Sequence, residues 1–144
     1  MRVFLDTNVL VAAFATRGLC ADVFRLVLAE HELLVSAALI EEITRALTRK
    51  IRVPDQMVRE IVAFLRAAGS TVEGAPELPT IVVRDPDDLV ILGEALSGGA
   101  DVLVTGDRDL LVLGEVGTLR IVDPRGFWEL VRRPTGTAGL PGRL

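Results

Sequence analysis

RDPDDLVILGEALSGGADVLVTGDRDLL, residues Arg84 to Leu111, reads as an acidic turn, an apolar helix, a short strand and a second acidic turn. The helix is expected over Asp87–Ser97 and the strand over Asp101–Thr105, with Gly98 and Gly99 between them. A strand that is apolar almost throughout belongs in a parallel sheet covered on both faces. The layout also puts carboxylates at the ends of buried elements, where globular proteins seldom leave unpaired charge.

Working outward, the same alternation runs through the chain. Arg2–Asp6 (RVFLD) is expected to be a buried strand ending at Asp6-Thr7-Asn8, three residues that favour turns by bonding their own backbone. Helices over Val9–Thr16 and Cys20–His31 follow, then a strand over Glu32–Ser36. Leu39, Ile40, Ile43, Ala46 and Leu47 have helical spacing and mark a third helix, Ala37–Lys50. Asp55 is expected to cap a fourth, which runs to about Gly69, and Ser70–Pro79 reads as a loop. After the opening stretch come a helical turn at Leu110–Gly114, a strand at Leu119–Val122 and a last helix at Pro124–Arg133. Strands alternating with helices predict an α/β domain with a central, mainly parallel sheet. The Gly/Pro-rich end is expected to be a flexible tail, which leaves residues 1–132 as one domain and 133–144 outside it.

The inventory of reactive groups is narrow. With one histidine, His31, and one cysteine, Cys20, the usual zinc ligand sets and an internal disulfide are excluded, and a reducing cytoplasmic setting fits. Tyrosine is absent. The longest early apolar run, Val9–Ala15, is too short to span a bilayer and follows an acid rather than a basic leader. Catalysis would therefore rest on carboxylates, hydroxyls or Lys50, the one lysine. A formal charge of −4 runs against an ordinary nucleic-acid binder.

Taken singly, each acid has an ordinary explanation. Asp6 can cap a turn, Glu42 can pair with Arg45, the trio Asp85, Asp87 and Asp88 can cap a helix, and Asp107 and Asp109 can lie in a solvated loop. Position separates them. At about 100° per residue Glu42 borders the apolar face of its helix while Glu41 lies nearly opposite. By the same projection Asp88 falls among Ile91, Leu92 and Ala95, and Asp87 falls at the edge. Asp6 and Asp107 end strands on the carboxyl edge of the sheet, where α/β proteins bind ligands. Four carboxylates so placed repel one another, and Mg²⁺ or Mn²⁺ with oxygen ligands resolves the repulsion. Such a centre can polarise a phosphodiester and lower the pKa of a coordinated water. Setting those four acids aside, the rest of the chain is formally neutral, and Arg45, Arg49, Lys50 and Arg52 beside Glu42 could then meet phosphates.

The segments LDTNVLVAAF (5–14), SAALIEEITRAL (36–47), RDPDDLVILGEAL (84–96) and ADVLVTGDRDLL (100–111) together resemble the acidic motifs of PIN-domain nucleases, in particular the VapC-like toxins of type II toxin–antitoxin systems. The resemblance implies a PIN-like three-layer α/β/α sandwich and an acidic quartet of Asp6, Glu42, Asp88 and Asp107, with Asp6 and Asp88 the direct metal ligands. It implies supporting places for Asn8, Thr105 and Asp109, and departs from the pattern at Leu89, where many relatives carry a further aspartate. It also implies a cytoplasmic, Mg²⁺- or Mn²⁺-dependent endoribonuclease that is inhibited by a cognate antitoxin protein. A homodimer is expected both from the resemblance and from the apolar first helices. Two alternatives stay open at this level: a PIN-like module that binds RNA or protein without cutting, and an RNA-processing nuclease independent of any toxin system.

Overall fold

Val3, Phe4 and Leu5 are each fully buried. Successive strand residues point to opposite faces, so a strand buried at every one of them is covered on both. This strand, β1 (Arg2–Leu5), lies at the centre of the sheet. The computed structural model describes residues 1–73, 80 and 83–132.

After β1 come α1 (Thr7–Ala15), α2 (Leu19–Glu30), β2 (Glu32–Val35) and α3 (Ala37–Arg45), which runs on through a π-helical turn at Ala46–Lys50. Next are α4 (Asp55–Ala68), β3 (Ser70–Thr71), α5 (Pro86–Ser97), β4 (Val102–Val104), α6 (Arg108–Leu111), β5 (Glu115–Val116), β6 (Leu119–Val122) and α7 (Pro124–Arg132). Local chemistry explains several of the starts. Ser36 Oγ accepts from the Leu39 amide to cap α3, and Asp85 accepts from the Asp87 amide to cap α5, with Pro86 in its first turn.

The six strands run in the order β3-β2-β1-β4-β6-β5, parallel throughout except for the β5–β6 pair. From β1 the chain builds outward through β2 to β3 on one side, then returns to place β4 on the other. The switch point between β1 and β4 opens a crevice at the carboxyl ends of the strands, the place where ligands bind in open parallel sheets. Core side chains from β1, β2 and β4 meet those of α3 and α5, including Leu39, Ile43, Ile91 and Leu92.

The expected α/β architecture with a mainly parallel sheet is the observed one. Five local readings differ. Asp55, expected to cap the fourth helix, is its first residue, with Pro54 in the cap position. Ser70–Thr71, read as loop, is an edge strand whose neighbour Val72 donates its amide to Val35 O at 2.8 Å; residues 74–79 of that loop lie outside the described residues. The two-residue β5 was missed because so short a strand carries no readable alternation. The helical turn after β4 begins at Arg108 rather than Leu110, since Asp107 caps it. The last turn of the third helix is π-helical rather than α-helical. The expected flexible tail, 133–144, also lies outside the described residues. Among those residues no helix is long and apolar enough to cross a membrane.

Candidate active site

At the switch point Asp6 follows β1 directly, and its amide donates to Val104 O of β4 at 2.9 Å. The backbone thus ties the two central strand ends together before any side chain is considered. Asp6 is only 6% exposed. Its Oδ1 accepts from the Thr7 amide at 2.8 Å, and its Oδ2 accepts from Thr105 Oγ1 at 2.7 Å and Asn8 Nδ2 at 3.2 Å. The turn-capping role expected of such an aspartate is present, yet three donors leave acceptor capacity on the carboxylate.

Thr105, fully buried just past β4, does two things at once. Its hydroxyl donates to Asp6 and accepts from the Asp107 amide at 3.0 Å. Asn8 works from the other side: its amide nitrogen meets Asp6 while its Oδ1 accepts from the Gly106 amide at 3.0 Å. A Cβ on Gly106 would come within 3.3 Å of that Oδ1 and would press on the Asn8 side chain. Asp107 Oδ1 accepts from the Asp109 amide at 2.9 Å. The Asp109 carboxylate itself pairs with Arg84 at 3.7 Å, so its link to Asp107 runs through its backbone.

The other two acids arrive on helices. Glu42 is half-buried on α3 and Glu41 is exposed. Thr7 Oγ1 donates to Glu42 Oε1 at 2.7 Å, joining the start of α1 to the middle of α3. Asp88 is half-buried in the first turn of α5, whereas Asp85 and Asp87 are exposed. Its Oδ2 is buried with no hydrogen-bond partner.

A cavity of about 770 Å³ is lined by Asp6, Glu42, Asp88 and Asp107 together. Asn8, Asp85 and Asp87 also reach it, as do Arg45, Arg49 and Lys50, whereas Thr105, Asp109 and Arg52 do not line it. Burial and mutual repulsion show in the titration of the acids. Asp88 is pushed up to about 7, by burial first, then by the charge of Asp107 and by a carboxyl–carboxyl approach to Asp107 that only a protonated Asp88 satisfies, then by Asp85 and Asp6. Burial also raises Asp6, and Asp107 adds to it, against the lowering effect of the Thr105, Thr7 and Asn8 hydrogen bonds. Glu42 is raised by burial and by Asp6 and Asp87, against Thr7 and Arg45.

The residues fit a hard divalent cation by donor type and charge: carboxylate oxygens only, repelling one another, with one oxygen of Asp88 orphaned in the interior. Among the described residues no group of three acidic, histidine or cysteine side chains is placed to hold a metal ion. The fit is therefore one of charge and composition rather than of a finished cage. The role of Thr7 in holding Glu42 was only partly legible. The sequence marks Thr7 as a neighbour able to orient a carboxylate, but which carboxylate depends on how α1 crosses α3.

Comparison with known proteins follows the same lines. A family model described as the PIN domain matches residues 2–109. Among curated proteins none matches the sequence. The fold is similar to a chain in the crystal structure of VapBC2 from Rickettsia felis bound to a DNA fragment from their promoter, with a TM-score of 0.63 at 16% identity. That alignment covers 84% of this chain and 97% of the other, and at this identity the likeness is one of fold.

Proposed function

The chain belongs to the PIN-domain family, and from that premise we propose that it is a divalent-metal-dependent endoribonuclease, the toxin of a type II toxin–antitoxin pair. One observation carries the reading: four carboxylates, two just past the ends of β1 and β4 and two on helices α3 and α5, line one cavity at the sheet's switch point, and one of them keeps a buried, unpartnered oxygen.

Asp6 and Asp88 would hold Mg²⁺ or Mn²⁺, with Asp107 completing the negative field. When bound, such an ion supplies Lewis-acid chemistry, polarising the phosphodiester and making water a better nucleophile at neutral pH. The chain's own residues do the rest. Thr105 and Asn8 hold Asp6 in one orientation and leave it lone pairs to offer. Thr105 also fixes the Asp107 backbone, so that the strand-end pair moves as one unit. Thr7 occupies Oε1 of Glu42 and leaves Oε2 to take the proton of the attacking water. Burial holds Glu42 above the ordinary carboxylate range, the direction that makes it a stronger base for that transfer.

The decisive experiment is cleavage of RNA by the purified protein with EDTA, Mg²⁺ or Mn²⁺, beside Asp6→Asn and Asp88→Asn. Metal-dependent cleavage that both variants lose is the expected result. Equal cleavage by the variants would overturn the assignment, and RNA binding without cleavage under either metal would favour a non-catalytic module. Toxin function is read separately, as growth arrest on expression that the product of a small adjoining reading frame relieves. Arrest-free expression of a protein active in vitro would point to an RNA-processing nuclease instead.

A further inference from the structure

The acid cavity has a second wall of opposite charge. Helix α3 does not end as an α-helix: over Ala46–Lys50 it widens into a π-helical turn, closed by Ile51 N–H donating to Ala46 O at 3.1 Å. Such turns are rare and cluster at functional sites. The consequence is a matter of register. In an α-helix Lys50 would sit about 140° round from Arg45. The wider turn carries it back, so that Arg45, Arg49 and Lys50 line one cavity while Leu47 stays in the core.

The turn is sustained by a costly backbone. Arg52 has φ 60, the only left-handed residue other than glycine among those described, and Val53 N–H closes onto Leu47 O at 2.8 Å. Among the described residues none of the three cations comes within ion-pair distance of a carboxylate, although they share the cavity with Asp6, Glu42, Asp88 and Asp107. Cations held beside acids but not paired with them are set for an anion that lies between.

We propose that the π-helical turn is a phosphate-binding arm, in which Arg45, Arg49 and Lys50 hold backbone phosphates of single-stranded RNA next to the acid cluster. The proposal rests on the nuclease reading above for the identity of the strand. It explains how a chain of formal charge −4 admits a polyanion to a cavity lined with carboxylates. Single strands are favoured because Asp6 is recessed, and a flexible strand can thread a concavity that a rigid duplex spans. The three residues position substrate; none is required to touch the reacting atoms.

The test is anisotropy of a fluorescein-labelled oligouridylate titrated with the full chain carrying Asp6→Asn, in EDTA, over a KCl series. Adding Arg49→Ala and Lys50→Ala is expected to flatten the slope of log K against log salt by about 1.4, at roughly 0.7 per lost phosphate contact. Arg49→Lys alone should retain the slope, and so should Arg59→Ala with Arg66→Ala on the exposed surface of α4. Melting curves of each variant show that it is folded. An unchanged slope, or no binding by the parent, overturns the arm. The two readings separate cleanly: cleavage with an unchanged slope removes the arm alone, and slope loss in a protein that never cleaves removes the nuclease alone.

Discussion

A carboxyl group whose titration point rises from 3.8 to about 7, as that of Asp88 does, opposes folding wherever it must carry charge. Below about pH 3.8 the group is protonated in both states and the native protein has its full advantage. As pH climbs through 7 the unfolded chain ionises freely while the folded one resists, so stability is lost. Asp6 and Glu42 act in the same direction. His31 acts in the opposite one: burial and then the chain's amino terminus lower it, and its contribution is lost as pH falls. The clean measurement is therefore a difference. In EDTA the Tm of the wild type should fall more steeply between about pH 4 and 7 than that of Asp88→Asn, and saturating Mn²⁺ should reverse most of the fall. Parallel curves for the two proteins would show that Asp88 is not the strained group. The choice of Asp88 over Asp87 was legible in advance, since helical projection alone puts one inward and the other at the edge. The orphaned oxygen was not, because only packing decides whether a donor arrives.

At the scale of elements, Asp85 joins the stability of a helix to the charge of the site. It caps α5 through the Asp87 amide at 3.0 Å while its charge raises Asp88. Asp85→Ala should cost about 1 kcal/mol of unfolding free energy in urea at neutral pH. Asp85→Asn keeps the acceptor and removes the charge, and should cost less than half as much; equal losses would mean that the cap is not the source. Signals of this kind are local and were read in part: the acidic trio was expected to cap α5 and Asp6 to cap a turn, whereas Ser36, read as the end of a strand, caps α3. The π-helical turn and the two-residue β3 and β5 were not. Each is stabilised by a bond or strand partner that the residues themselves do not specify, as with Val72 to Val35 O. The basic cluster divides in the same way. Four neighbouring cations could be listed; Arg45 and Arg49 share a face at helical spacing, but only the widened turn brings Lys50 round to join them in the cavity, which Arg52 does not line.

At the scale of the molecule, α4 presents a surface that the single chain leaves uncovered. Met57 and Phe64 are 50% and 46% exposed, seven residues apart and so on one face of the helix, with Ile51 nearby in sequence at 45%. A self-complementary apolar stripe is what a twofold dimer requires. Light scattering should give twice the 15.5 kDa chain mass, and Phe64→Glu should shift it toward the monomer; a monomeric wild type would refute the dimer. What the sequence determined by itself was the kind of elements and four candidate acids. Strand burial, helix phase and capping are short-range consequences of residue type, and they pick out Asp6, Glu42, Asp88 and Asp107 one at a time. That these four share a cavity, that Thr105 joins Asp6 to Asp107, and that Thr7 reaches Glu42 were decided by the tertiary structure. Those contacts depend on β4 crossing back beside β1, and on α1 lying against α3. Long-range packing of the core sets that order, and no window of sequence contains it.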